Sequence, residues 1–106
     1  MSDPTWTPLL TTPNHPEYPA AHGCITGAEA EVFTAILGTR KINIDIPGGA
    51  TLDVTRHFYR AAELRQEIAD ARVWAGLHYR GSVDAGVDLG ADVAQWTLKR
   101  YFQPLS

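Results

Sequence analysis

Two short segments carry the residues best suited to chemistry. Arg72-Val-Trp-Ala-Gly-Leu-His78-Tyr-Arg80 sets a histidine between arginines, and Pro19-Ala-Ala-His22-Gly23 sets another at the start of a helix. A helix opening after Pro19 leaves its first backbone N–H groups without intrahelical acceptors, and such a terminus attracts an anion, phosphate included. His22 at that rim can donate to a bound oxyanion or pass a proton to a leaving oxygen. Arg72 offers a fixed positive fork for an oxyanion, and His78 a nucleophile or a direct ligand. Their separation of six residues puts Arg72 and His78 on different faces of an ideal helix. They converge only if the helix ends near His78. Each residue also has a bland reading: His22 capping or packing, Arg72 on the surface beside Asp70 or Glu67, His78 as a core histidine. Local sequence leaves that choice open.

The elements that must position these residues can be read from periodicity. Residues 1–19 hold five of the seven prolines, so residues 1–21 read as an extended, proline-rich arm anchored by Trp6, Leu9, Leu10 and Tyr18. The spacing predicts a first helix over 22–37, capped by Gly38, with Ile25, Ala28, Val32, Ala35 and Ile36 as its buried stripe. Small residues on it (Gly23, Gly27, Ala28, Ala30) would let another helix approach closely. Cys24 reads as a small hydrophobe on that face. Lys41 to Ile46 alternates polar and apolar residues as a lone half-buried strand would, and Pro47-Gly-Gly49 ends it. A second helix is expected over 55–79, weakened at Gly76, and a third over 83–102 with Ser82 as N-cap. On the second, Glu63, Arg65, Glu67 and Asp70 read as solvated. The expected class is all-α: a partial bundle of about three helices, an N-terminal arm and one short extended segment.

Composition bounds the remaining choices. The chain has 106 residues, 44% hydrophobic and 20% charged, with a net charge of −3, which fits one small globular domain. The acidic balance gives no reason to expect nucleic-acid or membrane-surface binding. Seven arginines against two lysines suit bidentate oxyanion contacts. Cys24 is alone, so no intrachain disulfide can form. No apolar run reaches the roughly 20 residues of a membrane span, and the N-terminus lacks a signal-peptide layout; a soluble, cytoplasmic protein is the default expectation. A metal site from His15, His22, His57 and His78 matches no common ligand spacing.

Three phrases, Trp6-Thr-Pro-Leu-Leu10, Thr12-Pro-Asn-His-Pro-Glu-Tyr-Pro-Ala-Ala-His22 and Ala71-Arg-Val-Trp-Ala-Gly-Leu-His-Tyr-Arg80, resemble the type 2 phosphatidic acid phosphatase / vanadium-dependent haloperoxidase superfamily. The likeness is to its soluble bacterial haloperoxidase-related branch and runs from about Trp6 to Phe102. In that family a helical bundle binds phosphate or vanadate between three motifs. The resemblance implies that His22 is the acid–base histidine, with the backbone at Ala21, His22 and Gly23 facing the oxyanion. It implies that Arg72 binds the oxyanion, and that His78 is the nucleophile of a phosphatase or the vanadium ligand of a haloperoxidase. Vanadate is the cofactor this implies, or phosphate in the phosphatase reading.

The departures are specific. Ala20 and Ala21 replace the usual serine and glycine before His22, and Ala71 replaces the serine before Arg72. Ser82 stands where an acid is expected four residues past His78, so Asp84 is the candidate to orient that ring. The family's first motif, Lys then six residues then Arg-Pro, has no counterpart: no Arg-Pro pair occurs in the chain. Residues 22–106 thus resemble the C-terminal half of such a domain. Two function classes follow. One is a haloperoxidase- or phosphatase-type site, completed by a complementing helical chain or a second copy; the other is a non-catalytic helical interaction module.

Overall fold

The computed structural model describes residues 2–49 and 52–105. Met1 and Ser106, the outer limits of the two expected segments, lie outside them. The order is α1 (Ala21–Leu37), β1 (Lys41–Pro47), β2 (Thr55–Arg60), α2 (Ala61–Trp74) and α3 (Arg80–Arg100). The chain is therefore mostly helical but not all-α. Residues 55–60, expected to open the second helix, form a strand antiparallel to β1, with Ile44 opposite Phe58 and Pro47 opposite Thr55. Thr, Phe and Tyr favour a pleated, half-buried surface, and the partner strand was available to receive them. Phe58 buries its ring against Ile42, Ala30, Ala61 and Leu64, making one of two small cores.

The second core joins Ala20, Ala69, Val83 and Val87 where α1, α2 and α3 meet. Here α1 and α3 pack backbone to backbone. A Cβ built on Gly23 would lie 2.7 Å from the Val83 carbonyl oxygen, and Gly27, Gly86 and Gly90 face the opposing helix at similarly short range. The buried face of α1 is consequently Gly23, Gly27 and Ala30, not the expected aliphatic stripe. Ile25 and Ile36 are exposed, because only the small-residue face permits this approach. On α3, Val83, Val87, Gly90 and Ala94 are buried, whereas Leu89, Val93 and Trp96 are exposed.

Helix ends set the site. α1 stops at Gly38, whose φ of 65° gives the left-handed cap. α2 stops at Trp74, five residues short of the expected end. Gly76 takes φ 78°, its N–H donates to the Val73 carbonyl (3.0 Å), and the Leu77 N–H donates to the Arg72 carbonyl (3.1 Å). This is the paired closure of a Schellman motif, which a left-handed glycine makes inexpensive. α3 starts three residues early, after Tyr79, and Ser82 lies inside it, buried, rather than capping it. Residues 2–20 contain no helix or strand; the Leu9 and Leu10 amides donate to the Ala75 carbonyl and the Ala20 amide to that of Ser82. Among the described residues, no helix is long and apolar enough to cross a membrane.

Candidate oxyanion site

The Schellman closure turns the chain after Arg72, so His78 leaves the helix axis and folds back beside the N-terminal segment. Its side chain is 1% exposed. Nδ1 lies 2.8 Å from the main-chain carbonyl oxygen of Glu17. A carbonyl only accepts, so Nδ1 carries the proton and Nε2 of the neutral ring keeps its lone pair. That Nε2 is buried and takes no hydrogen bond among the described residues. Arg72 is in the same condition: its Nε and Nη2 are buried and unpartnered. The acids that could have claimed it are occupied elsewhere, Asp70 by Arg80 at 2.6 Å and Glu67 by Arg56 at 2.6 Å. Leaving a guanidinium fork buried and unbonded is costly, and the usual remedy is a bound partner rich in acceptors.

His15 and His22 complete the cluster. The His15 ring stacks on His78 with centroids 5.4 Å apart and planes 6° from parallel, and it lies 5.9 Å from the ring of His22. His15 Nδ1 donates to the Pro16 carbonyl (3.2 Å), and its Nε2 is buried without a partner. Partial desolvation lowers the pKa of His22 below 6.5, with the positive charge of Arg72 and the neighbouring rings of His15 and His78, each of which would repel a second proton, pushing the same way. Burial also pushes the Arg72 pKa down, from a value so high that the group stays cationic. At the head of α1, Ala20 supplies no side-chain cap, and the first intrahelical bond is donated by Cys24 to Ala20. The amides of Ala21, His22 and Gly23 precede that bond and have no intrahelical acceptor.

The donor set discriminates between ligands. A bare cation is disfavoured beside Arg72, and among the described residues no group of three or more His, Cys, Asp or Glu side chains could hold a metal ion. An oxyanion fits: guanidinium N–H groups and helix amides to donate, one imidazole lone pair to bind its central atom. The four-histidine metal reading fails on geometry as well. His57 sits on β2, bonded to Asp45 and Asn43 of β1.

Of the residues predicted from sequence, His22, Arg72 and His78 come together. Asp84 does not join them: it is exposed on α3, lining a groove with Arg65, Gln66 and Asp88, so it cannot orient His78. One helical turn carries it to the outer face. The group against Nδ1 of His78 is Glu17. Besides its carbonyl on Nδ1, its carboxylate accepts the Tyr79 N–H (2.9 Å) and the Ser82 hydroxyl (2.8 Å). Those bonds hold the Glu17 carboxyl below the usual carboxylate range. Sequence reasoning missed Glu17 because its partners lie more than 60 residues on. It weighed His15 only as a metal ligand; its place in the phrase that ends at His22 was the available signal. A cleft of about 480 Å³ opens on the Glu17 side of His78, lined also by Trp6, Leu77 and Tyr79.

Comparison with known proteins bears on the fold and family of the chain. A search of curated proteins gave no match. Among solved structures, one described as the first bacterial vanadium-dependent iodoperoxidase is 29% identical with a TM-score of 0.83, covering 92% of this chain and 24% of that one. An apo-type bacterial vanadium-dependent chloroperoxidase is 25% identical, with a TM-score of 0.68 over 90% of this chain and 24% of its own. The holo-type chloroperoxidase (22% identity, TM-score 0.71) covers 86% of this chain and 22% of its own, and bears on the fold alone. The chain thus spans under a quarter of the length of these haloperoxidases. The family model for the VCPO second helical-bundle domain matches residues 1–106, the whole sequence. Matched over its whole length, the chain belongs to the VCPO second helical-bundle domain family.

Proposed function

We propose that this chain supplies the histidine–arginine part of a vanadate site of the haloperoxidase kind, and that phosphate enters the same site as a competitor. The carrying observation is that Arg72 Nε, Arg72 Nη2 and His78 Nε2 are each buried without a partner, in two side chains that both act on His22. When bound, vanadate supplies the Lewis-acid centre that peroxidase chemistry needs. The chain's own residues do the rest. His78 Nε2 would hold the central atom, since Nδ1 is committed to Glu17. Arg72 would offset the charge of the oxyanion's oxygens, and the amides at Ala21, His22 and Gly23 would add donors at the helix terminus. His22, with its lowered pKa, is neutral near pH 7 and takes a proton from a ligand oxygen or returns one.

The chain contains no Lys-x6-Arg-Pro segment. Charge-assisted bonds of that kind contribute roughly 1.5–3 kcal/mol each. These residues alone therefore hold an oxyanion weakly, and haloperoxidase activity requires the further donors, from other helices, a complementing chain or a second copy. Titration of orthovanadate and of inorganic phosphate followed by calorimetry tests this. We expect saturable binding that His78→Ala and Arg72→Ala each abolish, and mutual competition between the two anions. Absence of binding at millimolar concentration would refute the reading.

One observation favours a second reading, a non-catalytic interaction module. Ile25 and Ile36 on α1 and Leu89, Val93 and Trp96 on α3 leave apolar surface uncovered in the single chain. That surface suits a further helical layer, whether or not the site turns over.

A further inference from the structure

The geometry points to Glu17 as the positioning residue that fixes the tautomer and aim of His78. The inference rests on the oxyanion reading above and adds to it the device that keeps Nε2 available. A neutral imidazole free in water favours the opposite arrangement, with the proton on Nε2, so the useful tautomer must be imposed. The main-chain carbonyl of Glu17 imposes it, at 2.8 Å from Nδ1. A carbonyl in a segment without helix or strand holds that position only if its residue is tied down.

The carboxylate does the tying. One oxygen accepts the amide of Tyr79, the residue after His78, at 2.9 Å; the other accepts the Ser82 hydroxyl, within the first turn of α3, at 2.8 Å. A single residue thereby contacts positions 78, 79 and 82 from 61 to 65 residues away. Ser82 is buried inside α3, so its hydroxyl has a reason to be there only as this partner. The Tyr79 amide is the backbone donor at the head of α3, so the same bond fixes where α3 begins and therefore where His78 must stand. Metal-binding histidines in general rely on such an acceptor behind the ring, and its loss costs roughly 10–100-fold in affinity or activity.

A role confined to capping α3 makes a different prediction: stability would change while the ring tautomer stayed fixed. The two are separable because Glu17 is not the segment's sole attachment. The Leu9 and Leu10 amides on Ala75, and the Ala20 amide on Ser82, remain in Glu17→Ala.

The test is long-range proton–nitrogen NMR of the His78 ring in the full 106-residue chain, with orthovanadate titration alongside. The native chain should show one neutral tautomer, protonated on Nδ1. Glu17→Ala should populate the Nε2–H form, which has no lone pair to offer a ligated centre, and weaken orthovanadate binding roughly 10–100-fold. Glu17→Gln should restore both, because its amide oxygen can still accept from Tyr79 and its amide NH₂ can donate to Ser82. Ser82→Ala removes one tie without touching Glu17 and should shift the tautomer partway, which keeps the test available if Glu17→Ala fails to fold. An unchanged tautomer in both Glu17→Ala and Ser82→Ala would overturn the inference, as would a Glu17→Gln ring that behaves like Glu17→Ala. If orthovanadate does not bind the native chain, the oxyanion reading fails, and the tautomer measurement still decides the role of Glu17.

Discussion

At the scale of single residues, the site is defined by bonds that are not made. Arg72 could have been an ordinary surface arginine; instead Arg80 and Arg56 hold the nearby acids, and two of its nitrogens stay buried without acceptors. That His22, Arg72 and His78 fall in one region was legible from the ordered motifs they sit in. The orienting group was not. Asp84 was the nearest acid along the chain, but it lies on the outer face of α3, whereas Glu17 arrives from a segment distant in sequence and close only in space. The electrostatics yield a pH prediction. The folded pKa of His22 lies below 6.5, so the folded chain binds that proton more weakly than the unfolded chain does. His22 therefore contributes nothing adverse above pH 6.5, and stability declines as pH falls below 6.5 toward the folded value. Urea midpoints followed against pH should show this decline, and His22→Asn should flatten it. Saturating phosphate should reduce it too, because the anion offsets the positive charge around His22. The carboxylates of Glu17 and Asp70, both lowered, act in a separate window, losing their contribution only as pH falls below about 4.5 and 3.8.

At the scale of elements, α1 and α3 were legible from their periodicity and from Gly38, but the buried face of α1 was not. Aliphatic residues define a stripe by hydrophobicity, whereas backbone-to-backbone packing selects residues by size, and Gly23 and Gly27 carry no hydrophobic signal. β2 was misread for a related reason: Thr55 to Arg60 has too few apolar positions to separate a strand from a helix start, and pairing with β1 decided it. Two glycine substitutions on α3 should therefore differ in sign. Gly81 has open space where a Cβ would go, so Gly81→Ala should stabilise by about 0.4–1 kcal/mol through the unfolded chain. Gly90 faces the backbone of Cys24, so Gly90→Ala should destabilise by about 1–3 kcal/mol. Chemical denaturation of the two variants settles both. Gly76→Ala is predicted to damage the site beyond its cost in stability. Its φ of 78° disfavours a side chain, and a Cβ there would meet Pro8 at 3.0 Å. Loosening the turn between Arg72 and His78 should weaken phosphate binding at least tenfold by calorimetry, on the order of the 1.4 kcal/mol that a modest displacement of two charged contacts costs.

At the scale of the whole molecule, two small cores and an uncovered apolar surface describe a bundle with a layer's worth of contacts still to make. The haloperoxidase structures it resembles are each more than four times the length that the match spans. Light scattering should accordingly find association in the single chain, relieved when Val93 and Trp96 are replaced by charged residues; a monomer at all concentrations would count against an interaction surface there. The central claim, however, is that the buried nitrogens of Arg72 and His78 exist to hold an oxyanion. Vanadium NMR of orthovanadate with the chain, read together with the ring nitrogens of His78, addresses it most directly. The account predicts a bound vanadium signal distinct from free orthovanadate, a shift confined to Nε2 of His78 while Nδ1 keeps its proton, and loss of both in Arg72→Ala. Free orthovanadate alone at millimolar concentration, with the His78 nitrogens unmoved, would contradict it.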